Sequence, residues 1–340
     1  MDSRRTPFEP AASRWKRRAR TVPAMLFITA AGIVFFPVLV VVAAAADVAR
    51  RRYRLPTLRL LIFFSQYAIN DSAEILLAPV YWVLGGFGRR LGHPRSMRRH
   101  ERLQSWSLEV LARRAEKYLG LGVDIDPESS AALRPGPVIA MCRHVHFVDA
   151  SLPTLLYQRL GYRTRGVIMA ELLADPGFDL IYSRTGSVFI PRGDGPLARE
   201  LLSKIGDGMD GSSAVVIFPE GRLFREDRLE RALARLNANP SERTARLAGL
   251  RHVLPPRPGG VLALLESMPD TDVVIIAHTG LDQFPTFADL ARCVPLRDPI
   301  RVVAWRVPAA DIPNDVLGRA AWLDEQWLRV DTWIGGGTPP

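Results

Sequence analysis

The chain has 340 residues, 48% hydrophobic and 24% charged, which is enough for one large domain or two small ones and too apolar for general disorder. Its 45 Lys and Arg outnumber 35 Asp and Glu, giving a net charge of +10. That surplus fits nucleic acid, an anionic membrane or an anionic substrate, and its placement along the chain decides among them.

Residues 1–20 carry seven basic and two acidic residues and read as a basic N-terminal tail. Thr21–Ala46 follows, 26 residues without a charge. As a helix it is about 39 Å long, enough to cross a hydrocarbon core of about 30 Å. Pro37 predicts a kink, and with it either a bent spanning helix or a re-entrant one. A second basic block comes next, with Arg50, Arg51, Arg52, Arg54 and Arg59. Leu60–Asn70 and Ile75–Gly88 are uncharged but separated by Asp71 and Glu74, and neither alone has spanning length. They read as an interrupted membrane helix, an interfacial one or a buried core helix, with Tyr67, Tyr81 and Trp82 suited to headgroup level. Residues 89–117 hold nine basic and three acidic residues. Residues 21–117 are therefore expected to form a membrane-associated helical region. A hairpin dipping in from one leaflet, with all three basic blocks on one anionic surface, is preferred over two full crossings. The remainder of the chain is slightly acidic, so nucleic acid is not expected as a partner.

From about residue 118 to 334 short apolar runs alternate with longer amphipathic ones. Strands are predicted at Val138–Cys142, Gly166–Ala170, Ser187–Ile190, Ala214–Phe218, Val273–His278 and Ile300–Trp305. Helices are predicted at Asp149–Leu160, Pro196–Ile205, Asp227–Ala238, Gly260–Ser267 and Asn314–Ile334. This alternation predicts an α/β fold, a mostly parallel sheet flanked by helices. The last helix carries Trp322, Trp327 and Trp333, suited either to a membrane interface or to docking on the domain core. Residues 335–340 read as a disordered tail. Cys142 and Cys293 give neither a disulfide framework nor a metal spacing.

Four segments carry polar chemistry at the ends of apolar runs. In the first, a buried strand ends and His144 and Asp149 follow with four residues between them. Five positions along a helix turn about 140° away, so the pair meets only if His144 stays on a loop and bends back over the helix start. Asp149 is expected to cap that helix. In such a geometry the carboxylate fixes the imidazole tautomer and the other ring nitrogen is free to take a proton. The second segment, Phe218-Pro219-Glu220-Gly221-Arg222, is a sharp turn after an apolar strand. Gly221 allows close approach, Arg222 offers a planar fork suited to phosphate, and Glu220 either orients that Arg or braces the loop. A solvated turn with a surface ion pair is the plainer reading. The third, Gly186–Arg192, delivers one Arg from a strand end, and the fourth, Val253–Gly260, presents Arg257 at a rigid turn opening a helix. Singly, these two are as readily structural.

In this order and at these distances the four resemble the glycerolipid acyltransferase family that includes the lysophosphatidic acid acyltransferases. The resemblance covers about residues 118–334, with the apolar segments before it matching the family's membrane-associated N-terminus. It implies His144 as general base and Asp149 as its partner. It implies Arg192 and Arg222 on the acceptor's phosphate and Glu220 and Gly221 shaping the acceptor pocket, while the turn bearing Arg257 looks like that of a branch with a longer C-terminal region. It also implies direct transfer from an acyl thioester to a glycerol hydroxyl, without acyl-enzyme, metal or cofactor. The expected partners are membrane lipids, acyl-CoA or acyl-carrier protein as donor, and a lysophospholipid acceptor, with the catalytic domain facing the cytoplasm. This chain departs from the family in having Arg143 before the His, His146 two residues after it, and no Pro in Val273–Ala277. Two rival readings stand beside it. One is a metal-dependent hydrolase using His144 and His146. The other is a non-catalytic membrane lipid-binding or scaffolding protein of the same fold.

Overall fold

A computed structural model describes residues 8–337. Three helices come first, α1 (Ala11–Ala49), α2 (Pro56–Leu84) and α3 (Pro94–Leu119). Then follow β1 (Val123–Ile125), α4 (Pro127–Ala132), β2 (Val138–Cys142), α5 (Leu152–Arg159), β3 (Arg163–Met169), α6 (Pro176–Leu180), β4 (Val188–Ile190), α7 (Gly195–Ser203) and β5 (Ser213–Ile217). The chain ends with α8 (Glu226–Asn237), α9 (Glu242–Leu247), α10 (Pro258–Ser267), β6 (Asp272–Thr279), α11 (Phe287–Cys293), β7 (Ile300–Val307) and α12 (Val316–Ile334). Two compact units result. One holds the chain up to Gly122 with Ile168–Gly193 and Phe287–Pro299, and the other holds Val123–Val167, Asp194–Thr286 and Ile300–Pro340.

In the first unit α1 runs unbroken through Pro23 and Pro37. A proline removes one helix hydrogen bond without obliging the helix to stop, and here the apolar flanks carry it on. The helix therefore does not double back at Pro37 as a re-entrant segment would. Its basic ends stay apart, about 45 Å from Arg20 to Arg50 at 1.5 Å per residue. Residues 11–20, read as a tail, are helical, while Arg4 and Arg5 lie outside the described residues. Part of that basic block is used internally. Arg18 binds buried Asp179 with Nε and Nη2 at 2.8 and 2.7 Å, and Arg17 Nη2 pairs with Glu9 at 2.7 Å.

The stretch read as interrupted is one continuous helix, α2. Asp71 and Glu74 do not break it, because both are buried on its protein-facing side. Thr29 donates to the Ala68 carbonyl at 3.2 Å and Leu58 N donates to Asp47 at 3.1 Å, so α1 and α2 run antiparallel. Asn70 with Ser107, and Tyr81 with His100, align α3 antiparallel to α2. Residues 89–117, a charge block in the sequence, are mostly this third helix. Among the described residues α1 is the one helix long and apolar enough to cross a membrane, and Phe27, Val34 and Val41 on it are exposed.

The seven-stranded sheet has the order β1-β7-β6-β2-β5-β3-β4. Its described pairings are parallel except β6 with β7, as the α/β pattern predicts. β2 and β5 are buried at every residue, which is why they read as unbroken apolar runs. β1 was not predicted: three residues, two of them half-buried around an exposed Asp124, are too short to make a pattern. The register pairs Met141 with Ile217 and Cys142 with Ile276, so β5, β2 and β6 end side by side. Loops leaving the carboxyl ends of adjacent parallel strands share one crevice, the usual place for ligands in such sheets.

α12 docks on the second unit. Asp331 accepts the N–H groups of Arg251, His252 and Val253, Asp324 pairs with Arg243 and Arg246, and Trp327 is fully buried. The acidic residues among the tryptophans are thus the anchors of the docked helix.

Candidate active site

β2 ends at Cys142, and Arg143 continues its ladder by donating N–H to Ile276 O at 3.1 Å. The Arg143 side chain is 1% exposed. It donates to His278 O and His252 O at 2.9 and 2.8 Å and pairs with Asp282 at 2.5 Å. The departure from the family pattern at this position is therefore a buried brace that ties the loop after β2 to the loop before α10, to the end of β6 and to the loop after it.

His144 comes next, on the loop, and turns back toward the helix start as its spacing with Asp149 requires. Its Nδ1 lies 2.5 Å from Asp149 Oδ1. The ring rests on Phe218, with centroids 4.4 Å apart. The side chain keeps 17% exposure and Nε2 is not engaged by the Asp149 contact. Asp149 itself is fully buried. Its Oδ2 accepts the N–H groups of Val145 and His146 at 2.6 and 2.8 Å and lies 3.3 Å from His278 Nε2. Burial alone would raise the Asp149 carboxyl. The hydrogen bonds and charge of His144 and His278 win and hold it well below the usual carboxylate range.

The predicted helix from Asp149 begins differently. A 3-10 turn covers Phe147–Ser151 and α5 starts at Leu152, with Pro153 in its first turn. His146 is the N-cap, its Nδ1 accepting from Val148 N, and Asp149 returns the bond to His146 N from inside the turn. Asp149 is thus the inner half of a capping box rather than the cap, which fixes its carboxylate before it meets His144. Burial, opposed by Asp149, lowers the His146 imidazole. Among the described residues no three His, Cys, Asp or Glu side chains converge as metal ligands.

The turn after β5 is not a solvated surface turn. Glu220 is buried, with Oε1 accepting His144 N at 3.0 Å and Oε2 accepting Leu254 N at 2.9 Å. One carboxylate therefore holds the His144 loop and the 254–257 turn together, and Arg257 N donates to Pro219 O at 2.8 Å. Burial raises Glu220 to about 7 against the pull of Leu254 N–H, Arg143 and His144. Gly221 has φ +63°, and a Cβ there would stand 3.2 Å from Arg257 Cδ, so the turn requires glycine. Arg222 and Arg257 are exposed and line one cavity beside this turn.

Residues 125–279 match a family model described as Acyltransferase. That segment of the chain is similar to acyltransferase domains. The match takes in β2, the His144–Asp149 loop, the Glu220–Arg222 turn, Arg257 and β6. No curated protein matches the chain. A solved structure similar to it is PlsC, the 1-acyl-sn-glycerophosphate (LPA) acyltransferase of Thermotoga maritima, at 16% identity and a TM-score of 0.45, covering 79% of this chain and 97% of that one.

Of the sequence-predicted site residues, the second unit brings together His144, Asp149, Glu220, Gly221, Arg222 and Arg257. Arg192 belongs to the first unit, where its Nε pairs with Glu171 at 2.7 Å. Sequence reasoning missed His278 and the role of Arg143. His278 closes an apolar strand and has no partner near it in the chain. Its one signal is a histidine at the end of a strand that the fold lays beside β2.

Proposed function

We propose that the chain is a membrane-bound acyltransferase that moves an acyl group from an acyl thioester to a hydroxyl of an anionic lysoglycerolipid, with lysophosphatidic acid as the reference acceptor. The observation that carries this is the 2.5 Å contact of His144 Nδ1 with Asp149 inside the segment similar to acyltransferases. Asp149, ionised and fully hydrogen-bonded, keeps the proton on Nδ1 and leaves Nε2 basic. As the acceptor hydroxyl attacks the thioester carbonyl, Nε2 takes its proton and the imidazolium is stabilised by Asp149. The tetrahedral adduct collapses, the C–S bond breaks, and the thiolate takes the proton back from Nε2. An activated thioester leaves the protein mainly positioning and proton transfer to supply.

Arg222 and Arg257 would hold the acceptor's phosphate, as planar donors in a cavity that brings no free carboxylate to compete. The resemblance assigns Arg192 the same ligand. Acyl-CoA or acyl-carrier protein would be the donor and no metal or cofactor would take part. The exposed apolar face of α1 would anchor the first unit in the cytoplasmic leaflet, with the arginines of α3 kept out of hydrocarbon. The test is an acceptor screen with labelled acyl donor, wild type beside His144→Ala. Transfer to a glycerolipid acceptor that disappears in the variant supports the reading. No transfer to any, with CoA or carrier protein as donor, refutes it.

A further inference from the structure

The cavity beside the Glu220 turn has a volume of about 280 Å³ and is lined by five arginines, Arg222, Arg228, Arg231, Arg235 and Arg257. Only two of them are used above. Glu220 also lines it, but its two oxygens are turned to the backbone N–H groups of His144 and Leu254. Asp227 pairs with Arg231 on the exposed surface of α8, where such a pair is weak, and Arg228 Nη1 donates to the Leu223 carbonyl at 2.9 Å. Burial first, then the like charges of Arg222 and Arg235, lower the Arg257 guanidinium, so these three side chains act on one another. Positions 228, 231 and 235 are three and four residues apart and share one face of α8. Seven residues of helix make that row about 10 Å long. One phosphate engages one or two guanidinium forks and leaves the far end of such a row uncompensated.

We infer that the arginine row of α8 extends the phosphate site of Arg222 and Arg257 into a two-phosphate site. One phosphate of the ligand sits at Arg222 and Arg257 and a second, held apart from it, at Arg231 and Arg235. The inference rests on the proposed acyl transfer only for the source of the ligand. That source is either the nucleotide of a CoA donor, whose 3′-phosphate stands apart from its diphosphate, or a glycerolipid headgroup bearing two phosphates.

The test is direct binding by calorimetry to the full chain in detergent, with two pairs of probes: CoA against dephospho-CoA, and glycerol 1,3-bisphosphate against glycerol 3-phosphate. At least tenfold tighter binding of the first member of either pair is expected, and the pair that shows it names the source. In the R231Q/R235Q double variant that preference falls to within twofold. The R231K/R235K variant, which keeps both charges, retains it. Equal binding within both pairs, or a preference that survives in R231Q/R235Q, overturns the inference. Acyl transfer is measured separately. A chain that transfers acyl groups without the preference loses only the second phosphate site, and one with the preference but no transfer loses only the enzymatic reading.

Discussion

His278 Nε2 lies 3.3 Å from Asp149 Oδ2, so the carboxylate that holds His144 with one oxygen meets a second imidazole at the other. The same nitrogen is 3.2 Å from the Arg143 carbonyl. His278 is fully buried and touches no position open to substrate, which makes it a positioning residue. Removing its donor in His278→Ala is expected to lower kcat about tenfold, the worth of roughly one hydrogen bond to a charged group. KM should stay within twofold, and His278→Gln, which restores an N–H donor, should recover most of the loss. Steady-state kinetics of the two variants decide this, and wild-type kcat in the Ala variant would contradict it.

Asp149 sets the tautomer. In Asp149→Asn the carbonyl oxygen still accepts from Val145 and His146, but the amide faces His144 with a donor. The imidazole proton moves to Nε2, which can no longer accept one. We expect kcat to fall by about a hundredfold or more with the fold retained. Because the folded carboxyl lies below its ordinary range, its stabilising effect is present at neutral pH and is lost as pH falls through that lowered value. Turnover together with thermal melting at pH 7 checks both halves.

Glu220 behaves oppositely. Its folded pKa of about 7 stands above the ordinary 4.5, so the folded state binds its proton more tightly than the unfolded chain does. The corresponding stability is fully present below about pH 4.5 and is lost as pH rises through 7. The stability of wild type minus that of Glu220→Gln, which does not titrate, should therefore fall across this window and level off above it. The full swing is of order 3 kcal/mol. Denaturant melts from pH 5 to 8 give the difference directly, and a flat one would contradict the assignment.

The leaflet assignment is tested at the turn between α1 and α2. In a Cys293→Ser background, Cys142 is buried and unreactive, so Arg52→Cys gives one accessible thiol. A membrane-impermeant maleimide should label it from the cytoplasmic side. Labelling only from outside would place the turn across the membrane.

How much of this was legible in the chain varied with the physics of each element. β2, β5 and β6 are apolar on both faces, so their runs and the polar turns at their ends stood out, and with them His144, Asp149, Glu220 and Arg222. The roles of Arg143 and His278 were hidden because their partners lie more than a hundred residues away and meet only through the pairing of β2 with β6. The α8 arginines were visible at helical spacing, yet nothing local separates such a row from a solvated face until Arg257 is packed across from it. α1 extended further than its charge-free core suggested because Asp179 neutralises Arg17 and Arg18 from a distant helix.

The most direct measurement is acyl transfer by the purified full chain, wild type against His144→Ala, with lysophosphatidic acid and a panel of other lysoglycerolipids as acceptors and labelled acyl-CoA or acyl-carrier protein as donor. The expected result is transfer by the wild type that drops by about a hundredfold or more in the variant while its melting temperature holds. Equal transfer by the two proteins would contradict the role of His144 as the base.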